Sequence, residues 1–129
     1  SYTLCTAPNS KNKKELEIVF NLVNFEMNES NHRTYKREGL GTGFLSKLKK
    51  DEKFYFMKRK FQTFTFPSDT DQNPIIMIGP GTGIAPFVSY LRYLKHSENI
   101  SKNNLWLFFG CRDPEKDFLF KDELSHVLK

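Results

Sequence analysis

Residues 74–91 read PIIMIGPGTGIAPFVSYL: an apolar run, then three glycines within five positions, then apolar residues at helical spacing. Few features constrain a fold more. The run at 75–78 carries no alternating polar residue, the pattern of a strand covered on both faces. Phe87, Val88, Leu91 and Leu94 then fall on one side of a helix. Pro86 suits its first turn, where the missing N–H would have had no partner. A second apolar run occupies 105–109. Strand, helix and strand in that order predict a parallel pair joined by a right-handed crossover. A further helix is expected over 118–128.

Glycine tolerates positive φ and lets a ligand lie against bare main chain. Placed between a strand and a helix, it brings amides and the positive end of the helix dipole onto an anion. A tight structural turn would make the same demand on the sequence, and the strand–helix–strand context favours the anion cradle. The stretch is not a Walker loop, because no Lys-Ser/Thr pair follows. It is not GxGxxG either, since Ile84 stands where the third glycine would be. Thr82 adds a hydroxyl.

The first half has another grammar. Leu16, Ile18, Phe20 and Leu22 alternate with Glu17, Val19, Asn21 and Val23, predicting a strand with one apolar face. Residues 53–66 are rich in aromatics and Thr, with Phe54 and Phe56, then Phe64 and Phe66, at alternate positions, which predicts more strand. Between them Gly39, Gly41 and Gly43 lead into Phe44, Leu45 and Leu48, a short helix with Thr42 as its N-cap. The polar bridge PSDTDQNP at 67–74 separates the halves and places a boundary between 1–68 and 69–129.

Composition bounds the function. Hydrophobic residues make up 38% of the chain and 13 are Phe, enough for a real core. The net charge of +5 arises from short clusters at 11–14, 47–53 and 58–60, which read as solvated faces rather than a nucleic-acid surface. Cys5 and Cys111 lack the spacing of a zinc site or disulfide framework, so a reducing, cytoplasmic setting is expected and no metal. His32, His96 and His126 show no ligand spacing. No apolar run approaches a membrane span, KDEL at 121–124 is internal, and the NxS triplets at Asn28 and Asn99 are read as chance. The chain lacks a starting Met and stops within a helical pattern, as a piece of a longer protein would.

These residues also carry a resemblance. GPGTGIAPF at 79–87, followed by FFGCR at 108–112 and DFLFKDEL at 117–124, resembles the NADPH-binding domain of the ferredoxin-reductase superfamily, in its diflavin reductase branch. SYTLCT at 1–6 resembles the family's RxYS stretch along the flavin ring. GLGTGFL at 39–45 resembles its GVCTGWL stretch at the FAD pyrophosphate. The fold implied is part of an antiparallel FAD-binding β-barrel over 1–68, followed by the start of a parallel α/β NADPH-binding domain over 69–129.

The resemblance implies roles residue by residue. Tyr2 would stack on the flavin, and Thr3, in place of the usual Ser, would stand beside flavin N5 as the catalytic hydroxyl. Gly39, Leu40, Gly41 and Thr42 would hold the FAD pyrophosphate, with Gly41 where relatives have Cys or Ala. Gly81, Thr82 and Gly83 would hold the NADPH pyrophosphate, with Cys111 and Arg112 lining the nucleotide pocket. Cys111 is not the family's late, hydride-assisting Cys. Asp117 and Glu123 match acidic positions read as structural. The implied activity is hydride transfer from NADPH to FAD, then electron transfer through FMN, held in a flavodoxin-like domain of the full-length chain, to a protein acceptor. VFNLVNF at 19–25 and LWLFFGCR at 105–112 are most similar to the methionine synthase reductase group, which implies methionine synthase and its cobalamin as acceptor. The alternatives are an NADPH-haemoprotein reductase, a single-flavin ferredoxin reductase, and a non-enzymatic redox-sensing nucleotide module.

Overall fold

The structure, a computed structural model, describes residues 2–8, 10–11, 14–28, 34–59, 64–67, 73–97 and 105–127. The chain forms two compact units, one of Phe20–Thr63 and one of Ser1–Val19 with Phe64–Lys129. The N-terminal segment therefore packs with the second half, a grouping that a simple division at 68/69 does not contain.

In the unit Phe20–Thr63, strands β1 (Asn24–Asn28) and β2 (Thr34–Glu38) pair antiparallel, with Phe25 opposite Arg37 and Met27 opposite Tyr35. Helix α1 (Leu40–Lys47) follows directly. Gly39 is its N-cap, in extended conformation, and its N–H donates to the Val23 carbonyl at 2.7 Å. Thr42 is not the cap that was expected. It sits inside the first turn, and its Oγ1 accepts the Val23 N–H at 3.2 Å, so the hydroxyl serves the preceding segment. Phe44 meets Phe54 edge to face, and Phe54 meets Phe56.

Two expected strands are corrected. Over 16–23 the described residues form no ladder: the stretch carries the isolated Leu4–Ile18 bridge, the Cys5 N–H to Glu17 carbonyl bond and the Gly39 N–H to Val23 carbonyl bond, and the ladder begins at Asn24. Leu16 and Leu22 remain about half exposed. Alternation marks which side chains could share a face, but a ladder also needs a partner strand. The aromatic stretch forms no ladder among its described residues, 53–59 and 64–66. Phe64 and Phe66 instead pack edge to face on Phe87, and Phe66 stacks on Tyr90 at 4.0 Å.

In the other unit, β3 (Ile75–Pro80) and β4 (Leu105–Gly110) run parallel in a register that begins Ile75 to Leu105 and ends Pro80 to Gly110. A 3₁₀ turn (Gly81–Ile84) leads from β3 into α2 (Ala85–His96), with Pro86 in the first turn as expected. Helix α3 (Lys121–Val127) follows β4. It starts later than expected because Phe120 takes a left-handed φ of 58°, which a helix interior cannot contain. The core joins Cys5, Met77, Ile84, Ala85, Val88, Tyr90, Leu91, Leu94 and Leu124. Full burial of a side chain such as Met77 or Leu91 contributes about 2 kcal/mol relative to exposure.

Among the described residues the strands are covered on one face only. Met77 is buried while Ile76 and Ile78 are exposed, and Trp106 and Phe108 of β4 are exposed as well. Helices α2 and α3 contribute to one core, on the Met77 side. An uninterrupted apolar run therefore has one face against helices and one bare among the described residues.

Candidate functional site

Register positions the site. Pro80 and Gly110 are paired at the ends of β3 and β4, so the glycine turn after β3 and Cys111 and Arg112 after β4 leave the sheet at the same carboxyl edge. Ligands of open α/β sheets bind at that edge.

The glycines of the turn meet different surroundings. A Cβ on Gly79 would stand 2.9 Å from the Ile84 Cα and 3.0 Å from the Phe87 ring, so this glycine permits close packing of the turn on the strand. Gly81 has φ +52° and nothing within 4 Å of where its Cβ would be. The space where its side chain would stand is open, and its backbone conformation is one that L side chains rarely adopt. Gly83 would place a Cβ at an ordinary 3.5 Å from Pro80. Ile84, which caps α2, is fully buried and anchors the turn from below. Ile84 has no side-chain capping bond, and the helix has no acidic residue in its first turn, leaving its positive end uncompensated there by side chains.

Cys111 is a free, half-buried thiol. The Arg112 side chain is 93% exposed, with Nε 3.6 Å from Asp117, a solvated pair that leaves the guanidinium able to turn toward an anion. This edge thus combines a glycine turn, a helix start and an exposed cation, features that suit an anion such as a diphosphate.

Tyr2 and Thr3 belong to this same unit and are exposed, Tyr2 at 43%. Just beyond them the chain turns inward. Cys5 is completely buried, and burial, with Glu17 nearby, pushes its thiol pKa up. Gly39, Leu40, Gly41 and Thr42 lie in the other unit, where they form the cap and first turn of α1. Leu40 is 94% exposed, and a Cβ on Gly39 would stand 3.1 Å from both Thr42 Oγ1 and Val23 Cβ, so a side chain there would have to displace these neighbours slightly.

Sequence reading overlooked Arg92, the most connected side chain of the unit. Its guanidinium donates to both carboxylate oxygens of Glu123, at 2.7 and 2.9 Å, to Glu17, and to the Cys5 carbonyl at 3.0 Å, and it lies 5.5 Å from the Phe120 ring centre. Hydrogen bonding from Arg92 holds the Glu123 carboxyl below its usual range against the opposing effect of burial. The available signal was a charged residue beside Leu91, at the border between the apolar face and the polar side that carries Ser89 and His96. The structural role read for Glu123 is thereby given a partner. A cleft of about 480 Å³ opens beside this cluster, lined by Thr6, Ser10, Glu15, Glu17, Arg92 and His96. None of its lining residues belongs to the glycine turn, and Arg92 and Glu17 are already paired there.

Residues 77–129 match the family model of an oxidoreductase NAD-binding domain. Among curated relatives, 97% of the chain aligns with methionine synthase reductase of Bos taurus at 33% identity, covering 21% of that protein. NADPH–cytochrome P450 reductase of Dictyostelium discoideum is 36% identical over 96% of the chain and 18% of its own length. The sulfite reductase [NADPH] flavoprotein alpha-component of Photobacterium profundum is 37% identical over 90% of the chain and 18% of its own length. The chain spans about a fifth of the length of these relatives.

Proposed function

This chain belongs to the diflavin reductase family, and from that premise we propose that it forms the junction of the FAD-binding and NADPH-binding parts of an NADPH-dependent flavoprotein oxidoreductase. Residues 1–68 are the C-terminal part of the FAD-binding domain and 69–129 the start of the NADPH-binding domain. The observation that carries the reading is Gly81: half-buried main chain at φ +52°, with open space where a side chain would stand, between a strand end and a helix start.

The residues at the sheet edge fit a dinucleotide. Gly81, Thr82 and Gly83 offer backbone and one hydroxyl to its diphosphate, and any side chain at Gly81 would occupy the space above that backbone. Cys111 and Arg112 flank the nucleotide. Exposed Tyr2 offers a ring face to a flavin, with the Thr3 hydroxyl next to it in sequence, and the start of α1, with Gly39 as its cap, offers the first-turn amides of Leu40, Gly41 and Thr42 to the FAD diphosphate. Held there, NADPH would supply hydride-donor chemistry and the flavins would convert it to single-electron delivery. The chain's own part is to stack, orient and shield. FMN is assigned to a flavodoxin-like domain elsewhere in the full-length protein.

The acceptor we assign is methionine synthase, in the cytoplasm, on the likeness of 19–25 and 105–112 to the methionine synthase reductase group and the 33% identity over 97% of the chain. A haem protein is the competing acceptor, supported by the 36% identity to a P450 reductase. Electron delivery by the full-length protein to cobalamin-loaded methionine synthase, against delivery to a cytochrome, separates the two.

The test of the site is Gly81→Val in the full-length protein. The variant is expected to weaken NADPH binding at least about tenfold, ~1.4 kcal/mol, with FAD content unchanged. Unaltered nucleotide affinity would remove the turn from the site.

A further inference from the structure

Two parts of the proposed centre, the Tyr2–Thr3 segment and the turn at Gly81, are far apart in sequence yet fastened to one helix. The turn leads directly into α2 at Ala85. One turn further along, the Ser89 hydroxyl donates to the Thr6 carbonyl at 2.8 Å. Three residues beyond, Arg92 donates to the Cys5 carbonyl at 3.0 Å. Residues three apart lie on the same helix face, so α2 holds two successive carbonyls of the N-terminal segment with two side chains.

The segment is closed from its other side as well. The Cys5 N–H donates to the Glu17 carbonyl at 2.8 Å, the Glu17 N–H donates to Thr6 Oγ1 at 2.7 Å, and Leu4 bridges Ile18. Arg92 completes the loop by bonding the Glu17 carboxylate. Glu123 of α3 takes the remaining edge of the guanidinium and fixes its plane. Cys5, between these contacts, has no exposed surface.

We infer that Arg92 and Ser89 are positioning residues, a clamp that sets the flavin-facing Tyr2–Thr3 segment relative to the nucleotide turn and so fixes the distance over which hydride passes. This inference rests on the functional reading above. A guanidinium suits the task because its planar fork bonds a carbonyl and two carboxylates at once, which a lysine ammonium cannot reproduce. Hydride transfer is steeply sensitive to alignment, and displacement by a fraction of an ångström is felt in the rate rather than in the affinity for either coenzyme. The clamp touches neither coenzyme in this assignment. Its signature is therefore a slower chemical step with both coenzymes still bound.

The experiment uses the full-length flavoprotein with Arg92→Lys and, separately, Ser89→Ala. Two quantities are read: the alkylation rate of Cys5, followed by peptide mass spectrometry without nucleotide, and the single-turnover rate of flavin bleaching by NADPH, normalised to bound FAD. In Arg92→Lys the expected result is faster Cys5 labelling and a bleaching rate lower by about tenfold, with NADP⁺ affinity unchanged. Ser89→Ala is expected to shift both quantities in the same directions by less, and it carries the test should Arg92→Lys fail to fold. A purely structural residue would lower stability or FAD content while leaving the rate per bound flavin at the parent value. That outcome, or Cys5 labelling that does not change, overturns the proposal. A parent protein whose flavin is not bleached by NADPH overturns the functional reading itself, and the role of the clamp with it.

Discussion

Gly79, Gly81 and Gly83 look equivalent in GPGTG, yet each is held for a different reason. At Gly79 the obstacle is main chain, the Ile84 Cα at 2.9 Å, which cannot rotate aside. At Gly83 a methyl group would meet Pro80 at 3.5 Å, an ordinary contact. Denaturant unfolding should separate them. Gly79→Ala is expected to cost about 1–3 kcal/mol through overpacking, whereas Gly83→Ala stays within about 0.5 kcal/mol of the parent. Equal losses at the two positions would mean that the turn does not pack on its strand as described. Gly81 falls under neither rule, because its constraint is its left-handed φ, and under the proposed function its substitution is read out in nucleotide binding.

At the scale of elements, α2 joins three features: the glycine turn at its start, the N-terminal segment along one side, and α3 through the Arg92–Glu123 pair. That pair makes a pH prediction. The folded-state pKa of Glu123 is depressed, first by its hydrogen bonds to Arg92. Its contribution to stability is therefore complete above the ordinary glutamate range and is lost as pH falls through the depressed folded value. Glu123→Gln is expected to lower stability at neutral pH by about 1 kcal/mol, the figure discounted because a third of the Glu123 side chain is in solvent. On acidification the variant and the parent should converge, as followed by thermal unfolding across pH; a constant difference down to acid would place the stabilisation elsewhere. The helices and parallel strands were legible because their apolar spacing reports burial against neighbours close in sequence. The Arg92 cluster was not, because its partners Cys5, Glu17 and Glu123 lie 87, 75 and 31 residues away, and no local pattern encodes such a meeting. Likewise Leu16, Ile18, Phe20 and Leu22 have the alternation of a strand, but among the described residues the stretch joins no ladder beyond the isolated Leu4–Ile18 bridge.

For the molecule as a whole, the consequential feature is the uncovered face of the parallel pair. Register places Ile76 beside Trp106 and Ile78 beside Phe108, so four large apolar side chains form one continuous exposed patch. Parallel strands are ordinarily covered on both faces, and a two-stranded sheet has little stability without such cover. Trp106 is the single tryptophan of the chain and stands in this patch at 59% exposure, which makes it a built-in reporter. Purified as these 129 residues at low concentration, the chain should show red-shifted tryptophan emission that acrylamide quenches readily, and it should bind a hydrophobic dye such as ANS. Replacing Ile78 and Phe108 together by Ser should remove most of the dye binding, because both side chains point to the bare face and neither belongs to the buried cluster around Met77 and Leu91. Blue-shifted, poorly quenched emission at low concentration would mean that the patch is closed within the chain itself, and the one-sided sheet would then have to be abandoned.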